Sequence, residues 1–351
     1  MTRAALLGAA AAAALAWAPV SRAGASGSRH HRDPGGVQAF LLSSSPDSVT
    51  DLRAHAGEIS VVYPTYYECT SSGGGVAGTD MPAIDSLARS DAIPVVPRFN
   101  CQDGSVVHRL LTEPGPRARL LTKLTAIAGR AAYDGLCLDL ENDSAADREA
   151  LSSFVSELGQ KLHRLHRRLA VAVDGVTHEG PGAPNSFYDD RALSEAADTV
   201  FVMAWGTHWE GSSPGAISTL SFVGGVVAFL RTLPDRSRFV VGAPMYGLDW
   251  AGSSGSGQPL SSQPTHPAVA YQYNRVVSLA HSVGAHPVRE PLSGELSFSY
   301  SGNGGVSHQV FYMDSTAILD VLRIARDAGF QVGLWRLGSE DQALWSSPLV
   351  S

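Results

Sequence analysis

Eight short apolar runs separated by stretches of helical periodicity predict an α/β chain, a (β/α)8 TIM barrel with a small α+β insertion between strands 7 and 8. Two further observations support that class. The first run leads into Ser43-Ser44-Ser45-Pro46 and lacks the glycine-rich phosphate loop that an open doubly wound sheet usually carries there. The fourth run ends in two acidic residues, where a barrel of this kind places its chemistry.

The predicted strands are 37–41, 59–62, 93–98, 135–140, 169–173, 200–205, 239–243 and 331–334, most of them rich in β-branched residues, Leu or Phe. That composition suits strands covered on both faces. The clearest helical patterns are 117–132 and 147–167. In the second, Leu151, Phe154, Val155, Leu158 and Leu162 recur at three- and four-residue steps, while Glu157, Lys161 and Arg164 take the other face. Residues 251–310 are too long for a simple connection. They read as a Gly/Ser-rich stretch, a helix over 271–283, and two strand-like pieces, 296–300 and 308–312, around Gly302-Asn303-Gly304-Gly305. This insertion is expected to wall one side of a cleft.

Before the barrel, Arg3, an uncharged run over 4–20 and Ser21-Arg22-Ala23 form the pattern of a cleaved signal peptide, 1–23, followed by a flexible leader, 24–36. The barrel domain then spans 37–351. Export would make the protein secreted or associated with the cell envelope of a bacterium, with no stable membrane insertion after cleavage, and as a monomer. It also permits disulfides. Cys137 lies inside an apolar strand, whereas Cys69 and Cys101 each follow a strand in a loop and are expected to bridge; the sequence leaves other pairings open.

The chain has 26 Lys and Arg against 33 Asp and Glu, a formal charge of -7, and no basic stripe, which excludes a nucleic-acid partner. His30 and His31 lie in the leader, and His163 and His166 sit among arginines, so no metal is expected. No cofactor motif appears either.

The informative segment is Asp134-Gly135-Leu136-Cys137-Leu138-Asp139-Leu140-Glu141. Alternation along a strand puts Cys137, Asp139 and Glu141 on one face and the leucines on the other. Two carboxylates that close disfavour double ionisation, so one should retain a proton toward neutral pH, as a general acid requires. The competing reading is a solvated or ion-paired couple beyond the strand end.

These residues resemble the glycoside hydrolase family 18 signature D-G-x-D-x-D-x-E, with Cys137 in place of the middle acid. Further likeness runs through 201–209, 214–217, 241–250 and 333–341, and is greatest to the bacterial spore-cortex and peptidoglycan N-acetylglucosaminidase branch. The resemblance implies a retaining, substrate-assisted glycosidase acting on β-1,4-linked N-acetylglucosamine in chitin, chitooligosaccharide or peptidoglycan. Glu141 would be the acid and base, Asp139 would orient the acetamide, and Trp335 would floor the sugar site. Trp205, Tyr246, Trp209, Asp249 and Tyr66 are further candidates for binding substrate; Tyr63, Tyr66 and Tyr67 together are either a rim or a packing cluster. Trp205 and Gly206 stand where the family has tyrosine and aspartate, and with Cys137 they favour the alternative of a non-catalytic chitinase-like glycan-binding protein.

Overall fold

Burial of both faces of the apolar runs builds the barrel, with every residue of 37–41, 135–140 and 239–244 buried. The computed structural model describes residues 35–71, 74–141, 144–179, 186–252 and 268–351. The signal peptide, nearly all of the leader and the Gly/Ser-rich start of the insertion lie outside the described residues.

Among the described residues, eight parallel strands form the barrel wall: Val37–Leu41, Ile59–Pro64, Arg98–Cys101, Gly135–Leu140, Arg168–Asp174, Thr199–Met203, Phe239–Pro244 and Gln331–Trp335. From the third strand to the eighth, each is hydrogen-bonded to the next. The eighth pairs with the first, Gln38 opposite Gly333, and the first with the second. Between the second and third strands the ladder thins to a parallel bridge, Val62 with Val95. A short extension, Tyr67–Cys69, then pairs with the third strand. The circle is thereby closed.

The third strand begins later than its apolar run. Pro94 and Pro97 have no N–H to give a ladder, and pairing of 93–97 with the second strand is reduced to Val62 N donating to Pro94 O and Val96 N donating to Val62 O, both at 3.0 Å. Regular pairing starts at Arg98, which puts that side chain at the mouth.

The fourth strand alternates as expected. Leu136, Leu138 and Leu140 pack in the layer between strands and helices, whereas Cys137 joins the interior with Phe40, Tyr63, Val96, Ala170, Phe201 and Val240. The Phe201 ring fills the barrel axis because Gly242 and Gly333 are bare beside it; a Cβ at either would collide with that ring. Outside, helix Arg148–Arg164 buries Leu151, Phe154, Val155, Leu158 and Leu162.

Among the described residues, the insertion is a second sheet of five antiparallel strands in the order Val269–Gln272, Tyr246–Ala251, Ser307–Tyr312, Leu296–Ser301 and Val288–Arg289. It begins before the expected boundary, because Tyr246–Ala251 follows the seventh barrel strand after Met245 alone. Helix Tyr273–Ser282 sets Val276 and Ala280 against Phe298, Val310 and Tyr312. Trp250 is fully buried beside Ile217 and Leu248 beneath this sheet. No described helix is long and apolar enough to cross a membrane.

Cys69 and Cys101 form a disulfide, and Cys137 is a buried free thiol. The bond spans 32 residues and ties the second strand's extension to the third strand where the ladder is thin. In the loop-entropy account a cross-link of this span stabilises by about 3–4 kcal/mol. The double variant Cys69→Ser/Cys101→Ser should therefore unfold at clearly lower denaturant in an equilibrium titration. An unchanged midpoint would remove the disulfide from the stability of this mouth.

Candidate active site

A cleft of about 770 Å³ opens at the C-terminal ends of the barrel strands, walled on one side by the inserted sheet. Its floor is made by residues at the strand mouths: Arg98 where the third begins, Asp139 and Glu141 at the end of the fourth, Asp174 from the fifth, Trp335 from the eighth.

Asp139 is 2% exposed. Its Oδ2 accepts hydrogen bonds from the Arg98 guanidinium through Nε and is in ion-pair contact with Nη2. Its Oδ1 is buried with no hydrogen-bond partner among the described residues. The same guanidinium lies 5.0 Å from the centroid of the Trp335 ring, and its Nη2 is 3.9 Å from Glu141 Oε1. One cation therefore touches both acids and the aromatic floor.

Glu141 is placed by its backbone, whose N donates to Cys101 O at 2.9 Å, and by Gln102 Nε2, which donates to Oε1 at 2.9 Å. Its side chain remains 36% exposed toward the cleft. Burial first, and the neighbouring Asp139 charge second, push its pKa above the ordinary glutamate value; Gln102 and Arg98 act in the opposite direction. Beneath the mouth, the buried Tyr188 hydroxyl donates to Leu140 O at 2.9 Å and fixes the strand end between the two acids.

Glu141, Asp139, Trp335, Trp205, Tyr246 and Trp209 all line this cleft. Two expected residues do not. Asp249 is buried in the inserted sheet, where Tyr300 Oη donates to Oδ2 at 2.7 Å and His308 Nδ1 lies 2.9 Å from Oδ1. The reason is strand alternation: Tyr246, Leu248 and Trp250 share one face and Asp249 takes the other. Tyr66 is also buried, its hydroxyl donating to Asp85 Oδ1 at 2.8 Å, and Tyr63, Tyr66 and Tyr67 are packing residues.

Residues that the sequence reading passed over are Arg98, Gln102, Asp174, Glu210 and Arg336. Arg98 and Asp174 carried a usable signal, since each is a charge ending an apolar strand, as Asp139 is. Gly206 has φ 93°, a left-handed backbone that side chains rarely adopt, fixed by Gly206 N and Thr207 N both donating to Ile217 O. Glycine at 206 is thus set by the backbone of this turn. Among the described residues no group of three or more His, Cys, Asp or Glu is arranged to hold a metal ion.

A family model described as Glycosyl hydrolases family 18 matches residues 102–340. The chain belongs to that family. Family 18 membership places it among the glycosidases. The sporulation-specific glycosylase YdhD of Bacillus subtilis (strain 168), itself only provisionally assigned, is 24% identical over 315 residues, 86% of this chain and 71% of that protein. The fold is shared with a chitinase from Chromobacterium violaceum ATCC 12472, at TM-score 0.76 and 22% identity over 90% of this chain and 98% of that one. It is shared too with the spore cortex-lytic enzyme SleL of Bacillus megaterium QM B1551, at TM-score 0.75 and 19% identity over 89% of this chain and 72% of that one.

The raised Glu141 pKa predicts a pH-dependent stability. Below the unfolded pKa the carboxyl is neutral in both states and costs nothing. As pH rises, the unfolded chain releases its proton first, so wild type loses stability until the folded pKa is passed. Glu141→Gln lacks this loss. Its stability relative to wild type should increase from pH 4 to pH 8 in denaturant titrations, and a difference independent of pH would contradict the assignment.

Proposed function

We propose that the protein is a retaining glycosidase that cleaves β-1,4-linked N-acetylglucosamine in chitin, chitooligosaccharide or peptidoglycan by substrate-assisted catalysis. The observation that carries this reading is a glutamate with raised proton affinity, open to a sugar-sized cleft, beside a buried carboxylate with one unbonded oxygen.

In the first step Glu141 gives its proton to the glycosidic oxygen and the C1–O bond breaks. The substrate's acetamide oxygen closes on C1, forming an oxazolinium ion. Asp139 accepts the acetamide N–H and its negative charge stabilises the cation. In the second step Glu141, now a carboxylate, takes a proton from water, which attacks C1 and opens the ring. Two inversions keep the β configuration. Trp335 lies under the sugar and offers its ring face to C–H groups. Trp205 and Tyr246 form the inner walls and Trp209, 54% exposed, the outer edge.

A glycan-binding barrel without turnover is the second reading, favoured by Trp205, Gly206 and Cys137, which together remove polar contacts that would strengthen in the transition state. The sporulation and cortex-lytic names among the relatives put peptidoglycan beside chitin as a polymer to try. Export by the amino-terminal segment accords with either polymer, since both lie outside the membrane.

Release of reducing ends is the test, from N-acetylated oligosaccharides and from purified peptidoglycan. Wild type should act, and Glu141→Gln should be slower by about 10²–10⁴. De-N-acetylated glycan should resist both. Equal rates for wild type and variant on every N-acetylated substrate would overturn the proposal, and binding without release would establish the second reading.

A further inference from the structure

The layer beneath Asp139 is apolar. Cys137, two residues earlier on the same face, is fully buried among Phe40, Tyr63, Val96, Ala170, Phe201 and Val240 and offers a carboxylate little. A carboxylate 2% exposed above such a layer needs a counter-charge and fixed hydrogen bonds. Among the described residues, the cation placed on it comes from the neighbouring strand. Arg98 is in register with Cys137, one step inward of Asp139, and its guanidinium rises to take Oδ2 while resting on Trp335 and Phe40.

We propose that Arg98 is a positioning residue of this site, clamping Asp139 by Oδ2 so that Oδ1, which has no partner among the described residues, is left to accept the substrate's acetamide N–H, and bridging Asp139 to Glu141 with its charge. The inference rests on the glycosidase reading for what the acetamide does, and on geometry alone for the clamp. The guanidinium is held on three sides, by the Asp139 carboxylate, by the Trp335 ring at 5.0 Å and by Glu141 Oε1 at 3.9 Å. Arginine suits this position because its planar fork engages one carboxylate oxygen with two N–H groups and still stacks on an indole.

Two effects follow, and they separate. The first is geometric. Without the clamp Asp139 can turn, and its oxygen no longer meets the acetamide in the transition state. The second is electrostatic. Arg98 is the cation beside a pair of acids that also feel Glu210, with Asp174 on the same cleft wall and Gln102 as a neutral donor. Glu141 gives up its proton against the neighbouring Asp139 charge, and Arg98 eases that step. Removing it makes the doubly charged pair harder to form.

The experiment compares wild type, Arg98→Leu and Arg98→Lys by kcat and KM against pH on an N-acetylglucosamine oligomer, with thermal unfolding as the check on folding. Arg98→Leu should lose roughly 10- to 100-fold in kcat with KM changed far less, and its alkaline limb should move to higher pH. Arg98→Lys keeps the charge but not the fork, so its limb should stay near that of wild type while kcat remains depressed. A folded Arg98→Lys with wild-type kcat would overturn the clamp, and Arg98→Leu with an unmoved limb would overturn the bridge. Should Arg98→Leu fail to fold, Arg98→Lys decides the clamp, and Arg98→Gln, which keeps polar bulk without charge, decides the bridge. The ¹³C NMR titration of the Glu141 carboxyl reads the bridge without turnover. An unmoved midpoint on removing the Arg98 charge would overturn it even in a protein that binds glycan but does not cleave it. Equal rates for wild type and Glu141→Gln, by contrast, would count against the glycosidase reading itself.

Discussion

Two carboxylates two residues apart on the inward face of a parallel strand cannot both be charged at low cost in a closed barrel. The structure meets this constraint by treating the two acids differently. Asp139 is sunk against Arg98, while Glu141, one pleat further out, faces the cleft with a raised proton affinity. Tyr188 pins the backbone carbonyl between them, so the separation is held by the strand itself. The remainder of the mouth is arranged around this asymmetry.

The inserted sheet supplies the wall that a bare barrel lacks, and a carboxylate at its edge ties it to the barrel's backbone. Glu295, fully buried, accepts from Ile217 N at 3.0 Å and Ser218 N at 2.7 Å, and burial holds its pKa up at about 7. Those amides close the turn that begins at Gly206 and carries Trp209 and Glu210 to the cleft edge. Gly206 therefore opens a turn that carries an exposed indole to the cleft edge.

Much of this was legible in the sequence because buried parallel strands are nearly continuous apolar runs. The fourth strand, Gly135–Leu140, has the bounds its residues predict, and the two acids at its end could be placed from alternation. The third strand was harder, since two prolines break its ladder while keeping its apolar character. Arg98 was missed for the same reason: it reads as the end of one strand and is the beginning of another. Asp249 was misplaced although the rule that places Asp139 also decides it. Tyr246 and Asp249 differ in parity along one strand and cannot both face the cleft. Tyr66 depended on a partner, Asp85, nineteen positions away, and no local pattern encodes that contact.

In the proposed mechanism the nucleophile belongs to the substrate, and the protein contributes an acid, a fixed carboxylate and a floor. That mechanism is tested most directly by a series of glycosides whose 2-acetamido methyl carries zero, one, two or three fluorine atoms. Fluorine weakens the amide oxygen as a nucleophile while changing its size little. A kcat/KM that falls progressively along the series is the expected result; a flat series would show that some other group attacks C1 and would contradict the account.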